Sequence, residues 1–373
     1  MEALILSCST GGGHNAAAKA VAEALRQRGC HAILMDPYTL EGKNVANTVG
    51  STYVNLVKSH PELFGLVYKI GRRYSQIQLK IPHKSPVYLA QHKVAGLLKT
   101  YLEMARPDII ITTHVFCAEM LTMLHDQGVK LPPILYVATD YTCIPFTQEV
   151  RADYYIVGSA DIENSFVNMG MNRSQLLPCG IPVQTAFEQP YSRSEACGRL
   201  GLDPHLKWVI LAGGSMGFGL KDNLEILVPY IQEHPGLGLV VLSGSDQKEM
   251  EALRQKYETD RILVWGKTDQ MPLLLQAGSV LISKPGGLST TEACVSRIPL
   301  ILVNPIPGCE TENAKFFLSH GMAMWAQDPK TELLPILTSL LKRPEDMRQA
   351  QALLQTGSAA QIASLAEFLA SQQ

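Results

Sequence analysis

Two glycine-rich turns hold the residues of this chain that are best suited to chemistry. The first, residues 9–14 (STGGGH), follows the apolar run 4–6, and the second, residues 213–219 (GGSMGFG), follows the apolar run 208–211. Glycine lets a ligand approach the backbone amides, and a following helix directs its N–H groups and positive dipole end towards an anion. Two such turns in separate halves of the chain predict one half that binds a phosphorylated donor and another that binds a second reactant.

His14 closes the first turn, at the start of a predicted helix. The helix dipole disfavours imidazolium there, so we expect a lowered pKa and a neutral ring that is suited to general-base catalysis. A capping or packing histidine is the alternative. Residues 11–16 also fit the G-x-G-x-x-A pattern, and Asp36 ends the next predicted strand. This pairing leaves a nicotinamide-dependent oxidoreductase open.

A second group of candidates follows the predicted strand 280–283. Gly286 and Gly287 let the backbone come close to a ligand, and Glu292 on the next helix can accept hydrogen bonds from both hydroxyls of a ribose. Glu310 and Asn313 lie three residues apart on one helix face and could bind sugar hydroxyls. Glutamates near a helix N-terminus also complement the dipole, so a structural role is the alternative for each.

Short apolar runs alternate with amphipathic helices along the whole chain. This order implies parallel sheets with right-handed crossovers. We therefore predict an α/β fold of two doubly wound, Rossmann-like domains that face each other across a cleft, residues 1–183 and residues 184–373, the second with the C-terminal helices. The predicted strands are 3–7, 32–36, 108–112, 134–139 and 154–158 in the first domain, and 208–212, 239–243, 262–265, 280–283 and 300–303 in the second.

Composition restricts the classes of partner. The chain has 373 residues and a formal net charge of −2, which argues against a nucleic-acid binder. Its eight cysteines form no C-x-x-C pair and no zinc-ligand spacing, so they are expected to be reduced thiols of a cytoplasmic protein. No apolar stretch approaches the roughly 20 residues that span a bilayer.

Residues 51–100 are strongly basic, with eight Lys or Arg and one acidic residue. Aromatic and aliphatic residues lie between the cations, a combination typical of binding to an anionic membrane surface. A solvated helical segment that packs on its own domain is the alternative. The predicted membrane-docking residues are Lys69, Arg72, Arg73 and Lys80.

Four motifs in order along the chain resemble those of a known family: residues 10–14 (TGGGH), 213–215 (GGS), 284–287 (KPGG) with Glu292, and 307–313 (PGCETEN). They resemble the monogalactosyldiacylglycerol synthases and the bacterial processive diacylglycerol glucosyltransferases, relatives of the N-acetylglucosaminyltransferase that makes lipid II. The resemblance covers about residues 3–350. It implies a GT-B fold, a UDP-sugar donor bound by the C-terminal half, and inverting transfer to a lipid acceptor bound by the N-terminal half.

The resemblance also implies roles for single residues. His14 is the base, and Asp140 of a matching Thr-Asp pair orients the acceptor or supports His14. Cys309 stands where the relatives usually carry Gln, and because a thiol is a poor hydrogen-bonding group, a contact with the donor sugar is weakened or rearranged. The turn on the acceptor side is Gly11, Gly12 and Gly13, and the donor-binding residues are Gly213, Gly214, Ser215, Gly286, Gly287, Glu292, Glu310 and Asn313.

The sequence thus predicts a hexosyltransferase of glycolipid biosynthesis that moves a hexose from a UDP-hexose to diacylglycerol. We expect it to be cytoplasmic and peripheral on the inner face of the cell membrane. The backbone amides of residues 213–215 would stabilise the departing UDP, so no metal and no other cofactor is expected. The alternatives are transfer of N-acetylglucosamine to a polyprenyl lipid, the oxidoreductase, and a non-catalytic nucleotide-sugar binder.

Overall fold

The computed structural model describes residues 1–9, 11–78, 84–214, 217 and 219–372, without the side chains of residues 53–58 and 61. The chain divides into two units. Unit 1 consists of Met1–Thr185, Pro307–Cys309 and Gln355–Gln373, and unit 2 consists of Ala186–Ile306 and Glu310–Leu354. Each unit contains a six-stranded sheet in which all recorded strand pairs are parallel.

The sheet of unit 1 contains β1 (Glu2–Leu6), β2 (His31–Met35), β3 (Ile109–Thr112), β4 (Ile134–Val137), β5 (Tyr154–Ile156) and β6 (Leu176–Leu177). The order across the sheet is β2-β1-β3-β4-β5-β6. All residues of β3 and β4 are buried, as expected for parallel strands covered by helices on both faces. The order reverses between β1 and β3, and ligands of doubly wound sheets bind at the carboxyl ends of the strands at such a switch point.

The helices of unit 1 connect these strands. The first begins directly after the first glycine-rich turn and buries the predicted stripe of Ala18, Val21, Ala22 and Leu25. Gly29, with φ of 80°, follows its end. The helices are α1 (Gly12–Gln27), α2 (Lys43–Ser59), α3 (Pro61–Gln78), α4 (Pro86–Ala90), α5 (His92–Ala105), α6 (Val115–Asp126) and α7 (Glu163–Val167), and short 3-10 helices cover Pro37–Leu40, Thr147–Glu149, Ala160–Ile162, Arg173–Gln175 and Thr185–Phe187.

Unit 2 repeats the architecture with strand order β12-β11-β10-β7-β8-β9. Its strands are β7 (Lys207–Ala212), β8 (Leu237–Leu242), β9 (Ile262–Trp265), β10 (Gly278–Ser283), β11 (Leu300–Leu302) and β12 (Met324–Trp325). The switch point lies between β7 and β10, so the two glycine-rich turns of this unit meet there. Its helices are α8 (Arg193–Leu200), α9 (Leu220–Glu233), α10 (Gln247–Tyr257), α11 (Met271–Ala277), α12 (Gly287–Val295), α13 (Cys309–Ser319), α14 (Pro329–Lys342) and α15 (Glu345–Gln351).

The last helix, α16 (Ser358–Ala370), belongs to unit 1 and not to the second domain, where the sequence placed it. Its Ile362 and Ala363 are fully buried in one core cluster with Val21 and Leu25 of α1. Apolar residues spaced three and four apart form a continuous stripe, and this stripe is covered in unit 1. The predicted division at residue 183 therefore leaves out the helix that completes the first domain.

Candidate active site

Three neighbouring strands of unit 1 bring His14 and its partners together. His14 lies on the first turn of α1, just after β1, while Thr113 follows β3 and Thr139 follows β4. The Nδ1 atom of His14 is 2.9 Å from the backbone oxygen of Thr113 and 2.9 Å from Oγ1 of Thr139. Thr113 in turn donates its hydroxyl to the backbone oxygen of His14, at 3.0 Å. The imidazole is therefore fixed from two sides.

These contacts determine which ring nitrogen of His14 carries the proton. A backbone carbonyl can only accept a hydrogen bond, so Nδ1 must be the N–H that donates to Thr113. Burial lowers the pKa of His14 to about 3, and the neighbouring His114 ring adds to this effect. Because a neutral imidazole has one N–H, the lone pair lies on Nε2. The structure thus presents Nε2 as a proton acceptor at neutral pH.

Asp36, the acidic candidate of this unit, and the histidine His114 both bind backbone amides. His114 is the N-cap of α6, where its Nδ1 accepts from the amide of Phe116 at 3.1 Å. The carboxylate of Asp36 accepts from the amides of Tyr38 and Ser9, at 3.0 and 3.3 Å. An acid that is used in this way supports the turn after β2 and is poorly placed to bind a ribose, which disfavours the dinucleotide-binding hypothesis.

Asp140 follows Thr139 and is half-buried. Thr139 of the Thr-Asp pair contacts Nδ1 of His14, and both roles of Asp140, orientation of an acceptor and support of His14, stay predictions. Burial, with smaller effects from Cys309 and Asp140, raises the pKa of the Tyr68 phenol on α3.

In unit 2, the turns after β7 and β10 contact each other. The backbone of the first turn is tightly folded, because a Cβ on Gly213 would lie 2.7 Å from the backbone of Gly217. Gly214 adopts φ of 67°, and a Cβ there would lie 2.8 Å from Cε of Lys284. Only glycine is compatible with both the turn and the lysine that crosses it. Lys284 is a functional candidate that the sequence reasoning did not assign.

Glu292 lies on α12, which begins at Gly287 directly after this second turn. Its side chain is half-buried, and no hydrogen bond or ion pair holds its carboxylate among the residues that the structure describes. Burial raises the pKa of Glu292 to about 8. A ligand that donates hydrogen bonds to this carboxyl group would stabilise its ionised form, which burial disfavours.

Glu310 and Asn313, predicted to bind sugar hydroxyls, are engaged by protein groups. Glu310 forms a buried ion pair with Lys284, and its second oxygen accepts from the amide of Ile306 at 2.9 Å. Asn313 is fully buried and donates to the backbone oxygen of Pro285 at 3.0 Å. Asn313 therefore braces the turn after β10 and has no surface to offer a ligand, which corrects the prediction for this residue.

The remaining predicted residues divide into two groups. Gly286 is the N-cap residue of α12, and in the acceptor-side turn Gly12 is exposed while Gly11 and Gly13 are half-buried. Their contacts with ligands stay predictions. Ser215 and Lys80, and Thr10 of the first motif, lie outside the described residues. Within the part of the chain that is described, no three His, Cys, Asp or Glu side chains form a group that could hold a metal ion.

Two helices of the basic segment 51–100, α3 and α5, differ in how much of their apolar surface is exposed. On α3, Gly65, Gly71 and Ser75 are buried, whereas large apolar side chains are exposed on the same helix as the exposed cations Lys69, Arg72 and Arg73. The exposed apolar side chains of α3 are Leu63, Leu66, Val67, Ile70 and Ile77, each exposed by 47–58%.

Helix α5 instead buries its apolar face in unit 1. Its buried side chains are Val94, Ala95, Leu98 and Leu102. Lys93 and Lys99 on the same helix form ion pairs with Glu41 and Glu103. The solvated-segment alternative thus describes α5, whereas α3 exposes apolar and basic side chains together. Among the described helices, none combines the length and the apolar content needed to cross a bilayer.

Solved structures define the class of this fold. The chain resembles MurG from Acinetobacter baumannii with a TM-score of 0.62 and 18% sequence identity, over 99% of this chain and 100% of that one. It resembles S. aureus MnaA, solved with UDP, with a TM-score of 0.65 and 12% identity, over 100% of this chain and 98% of that one. The chain therefore has the GT-B fold predicted from its sequence.

Sequence comparisons show which proteins the chain is similar to. Residues 14–183 match the family model of monogalactosyldiacylglycerol (MGDG) synthase. The processive diacylglycerol beta-glucosyltransferase of Bacillus cereus (strain B4264) is 26% identical over 359 residues, which are 93% of this chain and 89% of that protein. These matches agree with the resemblance predicted from the motifs: the chain is similar to the monogalactosyldiacylglycerol synthases over residues 14–183 and to the processive diacylglycerol beta-glucosyltransferases over 93% of its length.

Proposed function

We propose that this protein is an inverting glycosyltransferase that moves a hexose from a UDP-hexose to diacylglycerol. The names of its relatives support this substrate class over 93% of the chain. The observation that carries the mechanism is the state of His14, whose Nδ1–H is fixed by Thr113 and Thr139 so that Nε2 is a proton acceptor. A base held in this way at the switch point of unit 1 is suited to activating an acceptor hydroxyl.

The reaction is a single displacement. The acceptor oxygen attacks the anomeric carbon of the donor sugar, and the bond from that carbon to the β-phosphate oxygen breaks with its electron pair on UDP. The acceptor proton moves to Nε2 of His14. A ring with a pKa of about 3 is a weak base in the ligand-free protein. It therefore takes the proton late, after the attacking oxygen has become acidic through bonding to carbon.

Donor binding is assigned to unit 2. The turn after β7 and the N-terminus of α12 supply backbone amides, and Glu292 supplies a carboxylate for the ribose hydroxyls. We assign recognition of the uridine and the diphosphate to these groups. A UDP-hexose is proposed because the named relatives transfer glucose or galactose.

A donor-by-acceptor matrix tests the proposal. Radiolabelled UDP-glucose, UDP-galactose and UDP-N-acetylglucosamine are each incubated with vesicles that contain diacylglycerol or a polyprenyl phosphate-linked acceptor. We expect label in diacylglycerol from a UDP-hexose, with a β-linkage in the product. Transfer only of N-acetylglucosamine to the polyprenyl lipid would contradict the proposed substrates. Binding of NAD without binding of UDP would contradict the proposed class of enzyme and favour an oxidoreductase.

His14→Ala tests the base. We expect this variant to bind UDP like the wild type, because the donor groups lie in unit 2, and to lose about 10²–10⁴-fold in turnover. His92→Ala is the matched control, since His92 is an exposed histidine at the start of α5. Retained turnover in His14→Ala would assign proton transfer to another group. A parallel loss of UDP binding would identify His14 as a structural residue.

The proposed site of action is the inner membrane face, where the protein binds peripherally through α3. The exposed apolar side chains of this helix would enter the acyl boundary, and Lys69, Arg72 and Arg73 would meet anionic headgroups. Each cation near an anionic leaflet contributes about 1 kcal/mol. The membrane also supplies the lipid acceptor, so one face of unit 1 would serve both attachment and substrate access.

Vesicle flotation tests this attachment. Arg72→Glu with Arg73→Glu should weaken binding to anionic vesicles by at least about 2 kcal/mol, roughly 30-fold, and should leave UDP affinity unchanged. Lys93→Glu with Lys99→Glu is the matched control, because both lysines lie on the packed helix α5 and each forms an ion pair with an acidic residue. Vesicle binding that changes neither with salt concentration nor with the arginine substitutions would overturn the docking role of α3.

A further inference from the structure

Lys284 lies across the glycine-rich turn that follows β7. Its side chain is 14% exposed, and a Cβ placed on Gly214 would lie 2.8 Å from its Cε and 4.0 Å from its Nζ. The same Nζ would lie 3.8 Å from a Cβ on Gly286, in the turn that follows β10. The ammonium group is thus held between the two turns that meet at the switch point of unit 2.

Glu310 positions this ammonium. One carboxylate oxygen pairs with Nζ of Lys284, and the other accepts from the amide of Ile306 at 2.9 Å. Removing an ammonium and a carboxylate from water is costly, and a single ion pair compensates for this cost only in part. An ammonium has three N–H donors, and within the described residues Glu310 is the one partner recorded for it. Two donors are therefore available to a ligand at the turn after β7.

We propose that Lys284 binds the diphosphate of the donor and balances the negative charge that UDP gains as it leaves. This inference rests on the proposed function. When the bond between the anomeric carbon and the β-phosphate oxygen breaks, the electron pair stays on that oxygen and the acceptor proton goes to His14. Lys284 stays an ammonium throughout and transfers no proton. Its contribution is a fixed cation beside the oxygen at which charge develops.

A purely structural Lys284–Glu310 pair is the competing explanation, and nucleotides of increasing charge separate the two. Calorimetry measures the affinities for uridine, UMP and UDP. Lys284→Met keeps the length of the side chain without its charge. We expect unchanged uridine affinity and about 10- to 100-fold weaker UDP binding, the effect of losing charge-assisted hydrogen bonds.

Lys284→Met alone leaves the buried carboxylate of Glu310 without its ion-pair partner, and a double variant removes this unpaired charge. In Lys284→Met with Glu310→Gln no unpaired charge is left, so the fold is retained, and the loss of UDP affinity relative to uridine should persist. Lys315→Met is the matched control, because Lys315 lies on the same helix as Glu310 and pairs with Glu312 at 2.9 Å at the surface. It should leave all three affinities unchanged.

Two results would overturn the role of Lys284. A UDP-to-uridine affinity ratio equal to that of the wild type would show that the ammonium does not meet the diphosphate. Equal losses for uridine and UDP in the double variant would show a structural role. Neither result depends on sugar transfer by the wild type, so a failure of the proposed function is detected separately in the donor-by-acceptor assay.

Discussion

Uridine binding should release a proton from Glu292. The pKa of this carboxyl is raised by burial from 4.5 to about 8, so about one molecule in ten is ionised at pH 7 in the ligand-free protein. Ribose hydroxyls donate hydrogen bonds and therefore favour the ionised carboxylate. Binding that needs the ionised form becomes tighter as the pH rises. The affinity for uridine should increase by up to about 50-fold between pH 6 and pH 8 and level off above pH 8.

Titration calorimetry in buffers of different ionisation enthalpy measures both the affinity and the number of protons released. Uridine is the better probe than UDP because it has no phosphate that titrates in this range. We expect close to one proton released at pH 7 by the wild type and none by Glu292→Gln, whose affinity should not vary with pH. Glu345→Gln, an exposed glutamate of unit 2, is the control. A flat pH profile in the wild type would refute the placement of the ribose at Glu292.

Three further predictions address unit 1. Thr139→Val removes the hydroxyl 2.9 Å from Nδ1 of His14 and should lower kcat about 2- to 10-fold without changing the KM for the donor, while Thr139→Ser retains activity. Burial, and to a smaller extent Glu149, raises the pKa of Glu119 from 4.5 to about 9. Between pH 4.5 and pH 9 the native protein therefore holds a proton on Glu119 that the unfolded chain has lost. The free energy of unfolding should fall by about 1.4 kcal/mol per pH unit across that window, and Glu119→Gln should remove this contribution in urea titrations at pH 6, 7 and 8. Ile362→Ala, at a fully buried position of α16, should cost about 2–5 kcal/mol of unfolding free energy in the same assay, and a loss near zero would show that α16 does not stabilise unit 1.

The sheets could be predicted from the sequence because buried parallel strands form short apolar runs between helices. All ten predicted strands are present, with ends that differ by at most two residues. The two strands that were missed, Leu176–Leu177 and Met324–Trp325, are two-residue strands at sheet edges. A run of that length carries no periodic signal. The docking of α16 was missed because its partner, α1, is far away in the sequence and periodicity does not identify the surface that covers an apolar stripe.

The residues of the candidate site also fall into those that the sequence could suggest and those that it could not. Gly214 and His14 could be proposed from the sequence because each closely follows a predicted strand, and ligands bind at the carboxyl ends of parallel strands. The partners of His14 and of Lys284 come from other strands and helices, and only the register of the sheets brings them into contact. Pairing of Lys284 with Glu310 also depends on the fold of the turn after β11, for which the sequence provides glycine and proline but no conformation.

The return of α16 to unit 1 has a consequence for the order in which the protein is made. Residues 186–354, which include all of unit 2, are translated before Ser358–Ala370 leaves the ribosome. At about 5–20 residues per second, this delay is roughly 10–35 s. Throughout that time the core of unit 1 lacks Ile362 and Ala363, and the apolar surface of α1 that they cover is open to water. We therefore expect the nascent first domain to expose apolar surface of the kind that chaperones bind until synthesis of the chain reaches its last helix.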